Sequence, residues 1–284
     1  MNRHFLCIGA QKSATSTLYD LLKNHPEISK SSHKEIHFFD AFNYADLDIN
    51  VYESYFDNLE LILSDITPSY IYLPYVPERI HNALGSSIKI LAILRNPIDR
   101  AKSHYLMTKR RGLENLSFEE AYYEEGNRIK KNEQNLKDYS YFDRGLYYKQ
   151  LKRYYDLFPE ENIKVISFEE FVSDQTKVLN DICDFIGISH IEIPKFKHRN
   201  KSFVPRSYTL NRFLFKMTFL LRKTWLRKLG FLSRWKRAII QRNKSSRTDN
   251  VTITNDFRRI LNEFYADDKK KLHELTNIDI SNWR

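Results

Sequence analysis

Glycine is scarce in this chain. Seven glycines stand among 284 residues, where ordinary usage of about 7% would give about twenty. That scarcity disfavours folds that wrap a dinucleotide in glycine-rich turns. Cysteine is scarcer still, with only Cys7 and Cys183. Two such residues make no disulfide scaffold and have no partners at metal-ligand spacing, so reduced thiols, no metal and a cytoplasmic setting are expected. No run of about 18 uncharged apolar residues occurs, so no transmembrane helix is expected. The apolar stretch after Met1-Asn2-Arg3-His4 is too brief for the core of a secretory signal. Acidic residues are absent from Lys195 to Thr248, a span with 17 Lys and Arg, which leaves 29 basic against 36 acidic residues elsewhere. The formal net charge of +10 therefore belongs to one segment, which points to an anionic partner or surface.

Hydrophobic residues make up 42% and charged residues 29%, which excludes a disordered chain and a membrane bundle. The length suits one domain, 1–284, with a substantial core. Phe5-Leu6-Cys7-Ile8 reads as a buried strand, followed by a polar loop and an apolar-periodic helix from Thr17 to Lys23. Lys34 to Asp40 reads as a short extended piece, and Leu59 to Leu63 as a strand ending near Asp65 and Thr67-Pro68. Tyr75 to Leu84 reads as a helix. The clearest central strand is Ile88 to Leu94, and Pro97 suits the first turn of a helix reaching about Arg110. Helices are expected over Ser117–Asn132, Tyr141–Phe158, Gln175–Ile186 and Thr254–Leu275, with a strand at Ile163–Ser167. The alternation argues for an α/β fold with a central parallel sheet flanked by helices. Residues 205–244 read as a basic helical lid or insertion.

Two patterns carry chemistry. The first is Gly9-Ala10-Gln11-Lys12-Ser13-Ala14-Thr15-Ser16-Thr17, which joins a strand to a helix. Amides at a helix N-terminus form an anion site, Lys12 adds a charge, and Ser13, Thr15, Ser16 and Thr17 add hydroxyls. A nucleotide-triphosphate loop would carry lysine and Ser/Thr where Thr15 and Ser16 stand, so its spacing is not met. Alone, the loop fits an anion site and a plain capped helix with a solvated lysine equally. The second pattern is Arg95-Asn96-Pro97-Ile98-Asp99-Arg100-Ala101-Lys102-Ser103. An arginine at the carboxyl end of a central strand can grip a phosphate bidentately, with Ser103 adding a hydroxyl from the next helix. Arg95 paired with a surface carboxylate and Ser103 facing solvent is the plainer reading.

Together these patterns resemble the sulfotransferases that use 3′-phosphoadenosine 5′-phosphosulfate (PAPS), and the resemblance covers most of the chain. Gln11 to Leu22 (QKSATSTLYDLL) is similar to the family's 5′-phosphosulfate loop, and Arg95 to Tyr105 (RNPIDRAKSHY) to its 3′-phosphate motif. Lys34 to Asp40 (KEIHFFD), Thr67-Pro68-Ser69-Tyr70 and Asp279 to Trp283 resemble the heparan sulfate and other glycosaminoglycan members. The resemblance implies a fold like that of the nucleotide kinases, PAPS as sulfuryl donor, and no metal. It places Lys12 and Ser13, Ala14, Thr15, Ser16 and Thr17 at the 5′-phosphosulfate, and Arg95 and Ser103 at the 3′-phosphate. A late basic loop, Lys197 to Ser207, adds Lys201, Ser202 and Arg206 as further 3′-phosphate contacts. Two departures stand out. Ala14 occupies a place where the family usually has glycine, and Ile66 one where glycosaminoglycan relatives carry a lysine before Thr-Pro.

The expected reaction is in-line sulfuryl transfer to a hydroxyl or amine of a carbohydrate or glycolipid acceptor. Glu35 is assigned as base, with a pKa raised by apolar Ile36 and Phe38, and Lys12 as the cation on the leaving phosphate. His37 is expected on the same side of an extended strand as Glu35, orienting the acceptor or sharing charge. A small-molecule or lipid acceptor is the alternative within the class. Outside it stand a nucleotide-dependent phosphotransferase and a non-catalytic, membrane-associated anion-binding protein. The segment Leu210 to Arg242 mixes aromatic, aliphatic and basic residues. It fits a peripheral surface for anionic membrane, a lid over an acidic acceptor, or core helices with their basic side chains outside. No nucleic-acid module is present, so nucleic acid is not an expected partner. A bacterial enzyme in the cytoplasm, peripheral at the inner membrane face, is the location this reading implies.

Overall fold

The computed structural model describes residues 3–41, 43–46, 48–190, 204–221, 235, 238–245 and 250–283. Five strands form one parallel sheet: β1 (His4–Gly9), β2 (Ile28–Ser29), β3 (Ile62–Ile66), β4 (Lys89–Leu94) and β5 (Ile163–Ser167). Their order is β2-β3-β1-β4-β5. The chain leaves β1 toward one edge and later crosses it to build the other. β1 therefore lies at the point where strand order reverses, and the carboxyl ends of β1, β3 and β4 frame the usual ligand crevice of such sheets.

Burial on both faces explains why the central strands β1 and β4 are near-continuous apolar runs. Phe5, Cys7, Leu91 and Ile93 pack against Leu18, Leu21 and Leu22 of helix α1 (Thr15–Leu22). Leu6, Ile8, Ile90, Ala92 and Leu94 alternate to the opposite face and are equally buried. The remaining elements in chain order are α2 (Ile49–Glu53), α3 (Val76–Leu84), α4 (Pro97–Arg110), α5 (Phe118–Ile129), α6 (Glu133–Tyr139), α7 (Tyr147–Tyr155), α8 (Phe168–Ser173), α9 (Gln175–Ile186), α10 (Tyr208–Leu221) and α11 (Asn255–Thr276). α9 adds Val178, Leu179, Ile182 and Ile186 to the core beneath α1.

The chain resolves into two compact units. The first comprises Met1–Arg100, Arg144–Phe196 and Leu261–Arg284, and holds the sheet; the second comprises Ala101–Asp143 and Lys197–Ile260. In the second unit a capping box of Ser117 and Glu120 starts α5. Glu114, buried, accepts from Arg128 and from the Tyr141 hydroxyl, both at 2.8 Å. Residues 205–244 leave and return at one point of this unit. Pro205 and Lys244 form a bridge, and the buried Asn243 side chain bonds to the Ser207 carbonyl and to Asn211.

Three expectations need correction. Lys34 to Asp40 forms no strand: it is irregular, ending in a turn at Phe39–Asp40, and His37 has φ 57°, in the left-handed region. The short strand on that side is Ile28–Ser29 instead. The stretch Tyr141–Phe158 is not one helix but a 3-10 turn at Asp143–Gly145 followed by α7. α6 was not expected; it is short and polar and starts from an Asn132 side chain that accepts from the Asn135 amide.

Candidate active site

The loop after β1 is built to leave amides open. Ala14 at the N-cap of α1 has φ 60° and offers no side-chain cap. Thr17 and Leu18 both donate to the Ala14 carbonyl, and Ser13 donates to Ala10. The amides of Ala14, Thr15 and Ser16 have no hydrogen-bond partner among the described residues. The Ser13 hydroxyl is fully buried and also unpartnered. Buried hydroxyls nearly always find a partner, so an uncapped helix start beside an orphaned hydroxyl marks a place for an anion. Thr15 is buried, and Lys12, Ser16 and Thr17 are half-buried. Lys12 itself has φ 77°, a costly conformation that sharpens the loop.

Close approach explains why glycine opens this loop. A Cβ on Gly9 would lie 2.5 Å from Cγ2 of Ile71. The segment after β3 presses on β1 here, with Thr67 donating to the Cys7 carbonyl and Ile71 to that of Ile8.

Arg95 follows β4 directly and reaches the loop. Its Nη1 donates to the Lys12 carbonyl at 3.3 Å, and its guanidinium lies 4.5 Å from the Phe168 ring centroid. The Tyr147 hydroxyl fixes the Arg95 carbonyl at 2.9 Å. No carboxylate lies in ion-pair range of Arg95 among the described residues, so the plainer reading of this arginine does not hold. Ser103 lies on α4, half-buried, in the second unit. Arg206 is exposed in the second unit and its amide donates to the Asn243 carbonyl. Lys201 and Ser202 lie outside the described residues.

Glu35 and His37 do come together, through a turn and not through strand alternation. Lys34 Nζ lies 2.6 Å from Glu35 Oε1, and His37 Nε2 lies 3.4 Å from Glu35 Oε2. On its other side His37 Nδ1 lies 2.9 Å from Asp40 Oδ2, which also accepts from the Ser69 hydroxyl at 2.5 Å. Burial works against both charges, but hydrogen bonds outweigh it. His37 and Lys34 bring the Glu35 carboxyl down to about 2, and Asp40 and Glu35 lift the His37 imidazole to about 9. The expected raised pKa of Glu35 is therefore reversed. Ile36 and Phe38 turn into the core, Phe38 among Phe39, Tyr44 and Tyr52, and leave Glu35 with two cations.

Sequence reasoning gave no role to several residues that shape this site: Phe168 and Tyr147 around Arg95, and Thr67, Ser69 and Tyr70 beneath the Glu35 turn. Thr67-Pro68-Ser69-Tyr70 just after a strand was a usable signal; Phe168 and Tyr147 carried none. Among the described residues no group of three or more His, Cys, Asp or Glu could hold a metal ion, and no helix is long and apolar enough to cross a membrane.

The chain resembles known proteins over most of its length. A sulfotransferase domain model matches residues 2–203. A membrane-associated sulfotransferase, kil1, of Dictyostelium discoideum is 26% identical, over 69% of this chain and 58% of its own length. Human heparan sulfate glucosamine 3-O-sulfotransferase 3B1 is 28% identical over 69% of this chain and 49% of its own. Human heparan sulfate glucosamine 3-O-sulfotransferase 5 is 32% identical over 64% and 53%. The chain thus spans about half the length of the curated relatives it matches. A sulfotransferase crystal structure from Alicyclobacillus acidocaldarius superposes with a TM-score of 0.69 at 28% identity, over 99% of this chain and 98% of that one. With its parallel sheet, its uncapped loop after the first strand and a family match over residues 2–203, the chain belongs to the sulfotransferase family.

Proposed function

We propose that this protein moves the sulfuryl group of PAPS to a hydroxyl or amine of a carbohydrate or glycolipid acceptor. The observation that carries the reading is an uncapped loop holding Lys12 at the carboxyl end of β1, together with a turn that presents an ionised Glu35 and is hydrogen-bonded to the segment following the neighbouring strand β3. The orphaned Ser13 hydroxyl and the open amides of Ala14, Thr15 and Ser16 suit the oxygens of a phosphosulfate. PAPS, when bound, supplies the sulfuryl group and a phosphate leaving group. Lys12 neutralises the charge that grows on the leaving oxygen. Arg95 takes the 3′-phosphate, the group that separates this donor from an ordinary adenylate.

Glu35 takes the acceptor proton. A carboxylate of low pKa is a weak base, but the acceptor's proton becomes strongly acidic as its oxygen bonds to sulfur, so an ionised, well-placed carboxylate suffices. His37, protonated, has no lone pair to act as base; it holds Glu35 in place and supplies positive charge. Ile66 is buried in the core, so this position offers the acceptor no cation. The acceptor side thus differs from that expected of glycosaminoglycan relatives. The 3-O-sulfotransferase relatives support a carbohydrate acceptor. The basic segment 205–244 supports peripheral contact with an anionic membrane, which favours a glycolipid among carbohydrates.

Calorimetry with adenosine 3′,5′-bisphosphate tests the donor site. The wild type should bind it far better than AMP or ATP. Arg95→Ala should lose most of that preference, since a hydrogen bond to a charged group contributes about 1.5–3 kcal/mol. Equal affinity of the wild type for AMP and the bisphosphate would refute the donor assignment.

A further inference from the structure

We infer that Asp65 is a positioning residue of the transfer site, acting through the hydroxyls of Thr67 and Tyr70 on the backbone that carries Glu35 and His37. The inference deepens the role proposed for Glu35 and rests on it for its catalytic meaning.

Asp65 sits near the end of β3, fully buried, beside Leu6 of β1. No Lys or Arg lies in ion-pair range of it among the described residues. A buried carboxylate without a cation is costly and is tolerated only where hydrogen bonds satisfy it. Two do. Thr67 Oγ1 donates to Oδ1 at 2.6 Å, and Tyr70 Oη donates to Oδ2 at 2.9 Å.

Each hydroxyl has one hydrogen and has given it to Asp65, so only its lone pairs face the turn. Those lone pairs accept from the turn's amides: Ile36 onto Thr67 Oγ1 at 3.1 Å, and Phe38 and Phe39 onto Tyr70 Oη at 3.1 and 3.4 Å. The segment belongs to no strand, so these hydroxyls do for it what a sheet ladder does elsewhere. Glu35 immediately precedes the first anchored amide, His37 stands between the first two, and Asp40 follows the last. The spacing of the cluster is thus set from Asp65, which hydrogen-bonds to Thr67 and Tyr70 and to none of the cluster's members.

Direction is the essential feature. An ionised carboxylate only accepts, which forces both chains to run amide to hydroxyl to carboxylate. An amide or a protonated carboxyl in its place donates to one hydroxyl, whose hydrogen must then turn toward a backbone N–H. Burial raises the Asp65 carboxyl to about 6, against the hydrogen bonds of Thr67 and Tyr70. The charged and titratable groups facing it are His37 and Asp40 of the turn, Tyr70 after β3, Tyr52 of α2 and Cys7 of β1. Activity should therefore show an acid limb near pH 6 that disappears in Asp65→Asn, since Glu35 stays ionised far below it.

The test follows the His37 imidazole by NMR across pH in protein carrying labelled histidine, together with turnover of PAPS to the bisphosphate with water as acceptor. In wild type the imidazole should titrate near 9. In Asp65→Asn its midpoint should fall by one unit or more, with turnover at pH 7 reduced tenfold or more and bisphosphate affinity unchanged. Thr67→Val and Tyr70→Phe, which each remove one chain, should show smaller shifts in the same direction, and they serve if Asp65→Asn does not fold. A wild-type His37 titration in folded Asp65→Asn, or in both hydroxyl variants, overturns the inference. Glu35→Gln is the separate arm. If it keeps full turnover while Asp65→Asn still shifts His37, the positioning stands and the base role of Glu35 falls.

Discussion

A histidine held between two carboxylates is a cation over most of the accessible pH range, and its charge is shared with the group it holds. Glu35→Gln keeps the size of the side chain but accepts no proton, so turnover should fall by about 10²–10⁴-fold, the usual contribution of a positioned base. Bisphosphate affinity should stay near wild type, because the anion loop and Arg95 are untouched. His37 also makes a stability prediction. Its folded pKa of about 9 lies above the ordinary histidine value of 6.5, so the folded chain holds this proton more tightly than the unfolded one. That contribution is full below pH 6.5 and is lost as pH rises through 9. The side chain is half-exposed, so solvent screens part of it. Urea unfolding at pH 6 and pH 9.5 should show wild type losing stability relative to His37→Gln. A difference that stays constant with pH would place the charge elsewhere.

The loop after β1 is the element in which backbone geometry and chemistry are most closely tied. Ala14 at φ 60° bears a left-handed cost of about 1–2 kcal/mol, which glycine would relieve while adding about 0.5–1 kcal/mol of unfolded-chain freedom. Ala14→Gly should therefore leave stability unchanged or raise it by up to about 1.5 kcal/mol. Gly9→Ala should do the reverse, losing about 1–3 kcal/mol, because its Cβ would press on Ile71. A melting-temperature series on the two variants checks both signs. The same loop shows what a sequence reveals. Its strand, its polar turn and its helix follow from local patterns, as do β4, α4 with Pro97 in its first turn, and α9 closing at Gly187. The Glu35 turn was not legible, because its shape comes from Thr67 and Tyr70, some thirty residues away, and not from its own residues. The pKa of Glu35 was misread for the same reason: apolar neighbours in sequence point into the core, and the neighbours in space are cations. Arg95 stands at the end of β4, as the strand pattern implies, but Phe168 beside it lies beyond the reach of any local pattern.

At the scale of the whole molecule, charge and apolar exposure coincide in the second unit. Leu210, Phe213 and Trp235 are exposed at 37%, 57% and 55%, and Arg206, Arg212, Lys216 and Arg242 are exposed with them. A soluble polyanion would draw on the cations alone; exposed Phe and Trp among cations suit the headgroup region of an anionic bilayer, where each Lys or Arg adds about 1 kcal/mol. Vesicles of phosphatidylcholine with and without phosphatidylglycerol separate the two. The full chain should sediment with the anionic vesicles and not with the neutral ones, and a rise from 50 to 300 mM salt should weaken that binding, since screening shortens the reach of surface charge. Phe213→Ala with Trp235→Ala should weaken vesicle binding further while leaving bisphosphate affinity unchanged, because neither residue belongs to the anion loop. Binding to heparin that matches the vesicles in strength and survives the double substitution would assign this surface to an acidic glycan. The membrane contact would then be wrong, although the sulfotransferase site would stand.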